Sequence, residues 1–332
     1  MDDTFYIKNF VDMQFETTPD NIDHEKIAGD FMQKVQEEMD DQRFERLLTI
    51  SGFIPDLYLS DSSQETLFSK MVECLVAEWA RRMGFSGEII KQKASYEDVK
   101  ITIDSRIVVC DAKSFRLGRS QDAPNPKDFL KLEDIRKWMD RYSSSIGGLV
   151  TYPCKHEWTK GSDIYQYCST ADAPTVMLPY KYLSYLLHHK GSFSVNNLTS
   201  LWDYKRIFPD KLSKTMSGGN KIPYWEKIDA EIVSITGTSK EILNKYMDEA
   251  GVLIADCVEK NIAFLRSERK KTIDRIAEDV KKVSDIAQLR KQLQEYMVQT
   301  QTKEVDQMLK RIKKFRKGKN SSPSKRKKGK NK

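Results

Sequence analysis

The sequence predicts an α/β protein, and three observations carry the prediction. Short β-branched runs at Val99–Ile103 and Ile107–Cys110 meet at a two-residue turn, Asp104-Ser105. Amphipathic stretches with apolar residues three and four apart stand on either side of this hairpin. Further short apolar runs, Gly147–Tyr152 and Thr175–Leu178, alternate with helical patterns downstream.

In chain order, residues 1–50 carry 13 Asp and Glu against 5 Lys and Arg, with a helical pattern over His24–Leu48. Ser51-Gly52-Phe53-Ile54-Pro55 breaks that pattern into a loop. Ser62-x-x-Glu65 is a capping-box signature and opens a helix to about Met83. Leu67, Met71, Leu75, Trp79 and Met83 share one face of it, and Gly84 supplies the stop. After the hairpin, Gly118–Lys127 is a polar loop. A helix over Leu130–Tyr142 follows, then a strand closed by Pro153, a strand at Thr175–Leu178 and a helix over Tyr180–His188. Ser213–Lys221 reads as a flexible loop.

From Ser239 to about Phe315 the chain is helical, with an apolar stripe at Leu243, Tyr246, Met247, Ala250, Leu253 and Ile254. Ile273, Ile276, Val280, Val283, Ile286, Leu289 and Leu293 continue a three-and-four spacing. That is a long amphipathic helix or helical hairpin, covered by its own subunit or by a dimer partner. The final run, Lys313–Lys332, is basic and of low complexity, and is expected to be disordered.

Composition narrows the function classes. No uninterrupted apolar run approaches the 18 or so residues of a membrane span, and Met1-Asp2-Asp3 lacks the basic and apolar regions of a signal peptide. Five scattered cysteines without C-x-x-C spacing read as reduced thiols of a cytoplasmic protein, and four histidines give no zinc signature. The net charge of +7 is unevenly spread: Lys310–Lys332 holds 13 Lys and Arg and no acid, so the other 309 residues carry a formal −6. Any nucleic-acid cleft is therefore a local concentration of charge.

The hairpin holds the chemistry. With Asp104-Ser105 as the turn, Asp98 falls directly opposite Asp111, where cross-strand side chains stand roughly 5 Å apart. Lys113 points to the same face as Asp111 because strand side chains alternate. Two acids and a lysine on one face suit a metal-dependent phosphodiesterase, in which carboxylates hold Mg²⁺ and the ammonium stabilises charge. The plain alternative is a solvated strand edge. Asp111, however, follows an apolar run and so emerges from a buried strand. Facing carboxylates also repel unless a cation or proton is shared.

The stretch Ser62–Lys70, the hairpin, and Asp111-Ala112-Lys113-Ser114-Phe115-Arg116-Leu117-Gly118-Arg119 resemble the HindIII-like type II restriction endonucleases. Lys127-Asp128-Phe129, Trp138 and Leu201-Trp202 follow in the same order. The resemblance implies the PD-(D/E)xK nuclease fold, a mixed sheet flanked by helices, here with an added C-terminal helical region. It implies a homodimer acting on palindromic double-stranded DNA with Mg²⁺, for which Mn²⁺ can substitute. Asp98, Asp111 and the Ala112 backbone carbonyl correspond to metal ligands, Lys113 to the catalytic lysine and Asp128 to a further acid near the site.

Where the family carries a glutamate seven residues before its first aspartate, this chain has Lys91. That role then falls to Glu65, the favoured choice, to Glu97, or to no residue; the alternative role of Glu65 is to close its helix cap. Arg116, Arg119 and Lys127 are the DNA-contact candidates, with Arg116 either a phosphate clamp or the partner of a local acid. The resulting organisation is an acidic N-terminal segment (1–50), a nuclease core (51–235), a helical region for dimerisation or DNA contact (236–312) and the basic tail (313–332). A/AGCTT is the first expectation for the recognised site. A structure-specific repair nuclease and a non-catalytic DNA-binding protein are the alternatives, and the intact Asp98, Asp111 and Lys113 set argues against the second.

Overall fold

The computed structural model describes residues 3–17, 23–90, 95–117, 130–153, 170–207, 222–282 and 285–313. Lys91, Arg119, Lys127, Asp128, the loops at 118–127 and 213–221, and the tail from residue 314 lie outside the described residues. The chain divides into two compact units, Met1–Ile262 and Ala263–Lys332.

In the first unit, helices α1 (Tyr6–Thr17), α2 (His24–Glu38) and α3 (Asp41–Thr49) precede the short β1 (Phe53–Ile54) and α4 (Ser63–Arg82). Strands β2 (Ser86–Ile89), β3 (Val99–Ile103), β4 (Arg106–Ala112) and β5 (Phe115–Arg116) follow. Then come α5 (Leu132–Met139), β6 (Ser145–Tyr152), β7 (Thr175–Pro179) and α6 (Tyr180–His188). Two 3₁₀ segments (Lys190–Ser192 and Val195–Trp202), α7 (Tyr204–Ile207), α8 (Ile222–Thr236) and α9 (Lys240–Lys281) complete the series, with α9 running on into the second unit. There, α10 spans Ile286–Lys313.

The main sheet has the order β2-β3-β4-β6-β7, antiparallel from β2 to β4 and parallel from β4 to β7. It is the expected mixed sheet. The hairpin turn forms at Asp104-Ser105, both at positive φ (45° and 67°), the conformation of a type I′ turn that matches the twist of the strands. Val99 pairs with Cys110 and Ile103 with Arg106, the register read from the sequence. Strand β4 is central, so Val108 to Ala112 are buried on both faces, whereas β3 alternates.

Helix α4 is buried nearly all round. Its expected stripe, Leu67, Met71, Leu75, Trp79 and Met83, is at most 3% exposed, but Val72, Cys74, Val76, Ala77 and Ala80 are buried as well. The cause is a second layer: α1 and α2 pack on the helix opposite its contact with β2 and β3. The acidic N-terminal helices thus contribute to the core. Phe10, Phe31, Phe44 and Leu48 are buried with the sheet residues in one cluster. Gly87 fixes how closely α4 lies on the sheet, since a Cβ there would stand 2.4 Å from the Ala77 carbonyl oxygen.

The stripe from Leu243 to Ile254 is partly buried within the first unit: Leu243, Ala250 and Ile254 are covered, and Ile254 with Cys257 packs on Ile50 and Phe53. The first compact unit thus runs past residue 235, to Ile262. In the second unit Ile273, Ile276, Val280, Ile286, Leu289 and Leu293 are exposed. Among the described residues, no helix is long and apolar enough to cross a membrane.

Candidate active site

Asp98 stands at the mouth of the hairpin, where its side chain displaces a ladder contact: Asp98 Oδ2 accepts the Ala112 N–H at 2.9 Å, while Asp98 N donates to the Cys110 carbonyl at 3.0 Å. The entry to β3 is fastened from the α5 side. Trp138 Nε1 donates to the Ser95 carbonyl at 3.0 Å, and the Arg141 guanidinium lies 3.6 Å over the Tyr96 ring. Buried Glu97 accepts the Tyr142 hydroxyl at 2.5 Å and faces Arg141. Glu97 therefore belongs to this scaffold.

At the other strand, Lys113 N donates to the Thr151 carbonyl at 2.8 Å, and the Tyr180 hydroxyl donates to the Lys113 carbonyl at 2.8 Å. These bonds leave the Lys113 side chain on the face that Asp111 occupies, and its Nζ sits 2.5 Å from Asp111 Oδ2. That approach is close but lacks hydrogen-bond alignment, and among the described residues the buried Asp111 Oδ2 has no hydrogen-bond donor. Burial pushes the Asp98 carboxyl well above the ordinary carboxylate range, and the nearby Glu73 and Asp111 charges push the same way. Burial likewise raises the Cys110 thiol, with Asp98 and Asp111 adding to it, so Cys110 is an inert packing residue.

Glu73 is the acid that the sequence reading missed. A cavity of about 470 Å³ lies between α4 and the hairpin, lined by Thr66, Ser69, Lys70 and Glu73 on one side and by Tyr96 and Asp98 on the other. An adjoining cavity of about 410 Å³ is also lined by Glu73, Tyr96 and Asp98, and adds Asp111, Lys113, Lys131 and Asp134. A signal for Glu73 was present. Thr66, Ser69, Lys70 and Glu73 recur at helical spacing as a polar stripe on a helix otherwise buried.

Glu65 and Arg116 take other roles. Ser62 Oγ accepts the Glu65 N–H at 3.2 Å as expected of the cap, and the Glu65 carboxylate accepts the Asp61 N–H at 2.7 Å. Glu65 also pairs with Arg116 at 2.9 Å. Arg116 in turn donates to the Pro55 and Tyr58 carbonyls at 3.2 and 2.7 Å. Of the two roles expected for Arg116, the partner of a local acid is the one present here: it pairs with Glu65 while its Nη1 donates to the two loop carbonyls, beside the point where β5 pairs with β1. Glu65 lines the larger cavity but is engaged at the helix cap, a full two turns from Glu73.

Glu73, Asp98, Asp111 and the Ala112 carbonyl are hard oxygen donors of the kind Mg²⁺ prefers, and the buried Asp111 Oδ2, now against the Lys113 ammonium, fits such an ion. Among the described residues, no three His, Cys, Asp or Glu side chains are drawn together as a ready-made metal cage. Two ammonium groups sit among the acids instead, Lys113 against Asp111 and Lys70 against Glu73.

Asp98, Asp111 and Lys113 of the hairpin and Glu73 of α4 thus line one cavity. The HindIII restriction endonuclease family model matches residues 20–301, from the N-terminal helices through the sheet and into α10. This chain belongs to the HindIII restriction endonuclease family. It is similar to the Type II restriction enzyme HindIII of Haemophilus influenzae, 23% identical over 244 residues, covering 71% of this chain and 78% of that enzyme. The chain is accordingly a type II site-specific deoxyribonuclease. The mixed five-stranded sheet with flanking helices is its restriction-endonuclease-like fold.

Proposed function

We propose that the protein is a Mg²⁺-dependent endonuclease that hydrolyses both strands of a short palindromic DNA site, leaving 5′-phosphate and 3′-hydroxyl ends. The observation that carries the reading is that Asp98, Asp111, Lys113 and Glu73 line one cavity, with the Lys113 ammonium against Asp111. Asp98, Asp111, the Ala112 carbonyl and Glu73, in place of Glu65, would hold the cation. When bound, Mg²⁺ or Mn²⁺ supplies Lewis acidity and lowers the pKa of a water. Lys113 keeps a positive charge where negative charge grows on the attacked phosphoryl group. Asp111 holds that ammonium on the catalytic face before DNA arrives. A homodimer would match its own two-fold symmetry to that of the site.

Digestion of a long, sequenced, unmethylated DNA with Mg²⁺, with Mn²⁺ and with EDTA tests the reading. Discrete fragments are expected with either cation and none with EDTA, and mapping their ends tests A/AGCTT. A smear would remove the sequence specificity. Asp111→Asn and Lys113→Ala should each slow cleavage about a thousandfold or more while sparing much of the DNA binding. Turnover at the wild-type rate in either variant would sink the site assignment.

A further inference from the structure

We propose that Lys70 is a resident counter-cation of the catalytic cavity: a divalent ion must displace it from Glu73, and its charge weakens cation binding to the DNA-free protein. The proposal rests on the reading of Glu73, Asp98 and Asp111 as cation ligands.

Lysine is almost never buried without a partner. Lys70 is 8% exposed, and its Nζ lies 2.5 Å from Glu73 Oε2 and 3.4 Å from the Ile90 carbonyl oxygen. An i,i+3 lysine–glutamate pair in the reverse order occurs on the surface, between Glu268 and Lys271. Surface pairs of that kind are solvated and screened, and they govern nothing beyond themselves. The Lys70 pair instead lines a cavity that also holds Asp98, with Asp111 in the adjoining one. Lys113 already lies against Asp111, so Lys70 places a second ammonium against one of the three proposed cation ligands.

Charges a few ångströms apart in a shielded site interact strongly, and salt screens them little. An ammonium on Glu73 therefore competes for the same oxygen and repels a dication entering beside it. It also keeps the three acids compatible when no cation is present. Lys70 acts through Glu73 and is a positioning residue, distinct in role from Lys113.

The test is Mn²⁺ titration of the DNA-free protein, with unbound ion read by electron paramagnetic resonance. Lys70→Gln keeps a hydrogen-bond donor for Glu73 and removes the charge. It should bind Mn²⁺ at least about fivefold more tightly than wild type. Lys70→Arg should stay near wild type, and Lys34→Gln, which breaks the surface pair with Glu38, should change nothing. Lys70→Met serves as a second neutral variant, with circular dichroism checking that each protein folds. In the wild-type protein, Mg²⁺ titration should also shift the ¹⁵N resonance of the Lys70 side chain.

Unchanged or weaker Mn²⁺ binding in folded Lys70→Gln or Lys70→Met, with Glu73→Gln weakening it, would overturn the proposal and leave the cation-site reading standing. A Lys70 resonance indifferent to Mg²⁺ would do the same without any variant. If Glu73→Gln, Asp98→Asn and Asp111→Asn all leave Mn²⁺ binding unchanged, the cation-site reading fails, and this proposal fails with it.

Discussion

Helices α4 and α10 carry the same sequence signal and have opposite surroundings. Each repeats apolar residues three and four apart over several turns. In α4 the stripe is at most 3% exposed, whereas Ile286, Leu289, Leu293 and Tyr296 of α10 are 38–69% exposed. Periodicity therefore specifies a helix and its apolar face, but not what covers that face. In α4 the cover comes from both sides, sheet and N-terminal helices, so its short polar stripe is left to the cavity. That is how Lys70 and Glu73 come to stand before the hairpin. The contrast also separates two kinds of lysine–glutamate pair, one enclosed with catalytic acids and the other spread along solvated helices.

The largest expected effect comes from breaking the covered stripe. Leu75→Ala removes a fully buried side chain and should cost about 2–5 kcal/mol, measured by denaturant unfolding. A cost below about 1 kcal/mol would mean that α4 is less enclosed than described. Next is Gly87→Ala, whose Cβ would meet the Ala77 backbone and force α4 from the sheet. A loss of about 1–3 kcal/mol is expected. DNA cleavage should fall with it under conditions where the protein stays folded, because Glu73 moves with the helix.

A smaller effect of opposite sign should follow from Asp98→Asn. The folded protein holds the Asp98 carboxyl above its unfolded value, so it binds the proton more tightly than the unfolded chain does. That contribution to stability is full below the ordinary carboxylate range and is lost as pH rises through the raised folded value. Asp98→Asn keeps an oxygen for the Ala112 N–H and has no proton to lose. It should be more stable than wild type at neutral pH and lose that advantage near pH 4 (about the ordinary carboxyl pKa). Equal unfolding midpoints across the range would contradict the buried-acid account. The smallest effect is expected at α10: Leu293→Ala, on an exposed face, should change stability by less than about 0.5 kcal/mol. A larger loss that grows with protein concentration would show that a second copy covers the stripe.

Local rules were enough for part of this molecule. Asp104-Ser105 between β-branched runs fixed the hairpin, and strand alternation then put Asp98, Asp111 and Lys113 on one face. Ser62 and Gly84 bounded α4, Pro153 ended β6, and Tyr180–His188 formed the helix its spacing required. Each depends on residues within a few positions of one another, where backbone sterics and side-chain period leave little choice.

Tertiary structure decided the rest. The short strands β1, β2 and β5 have little pattern of their own and exist because neighbouring backbone offers partners. Arg116 became a strut when β5 met β1. Glu65 was held at its cap while Glu73, eight residues on, lined the cavity beside the hairpin. The sequence alone determined a strand pair bearing two acids and a lysine. Which helix acid faces them, and which lysine neutralises it, depended on contacts between elements distant in the chain, and no local period encodes that distance.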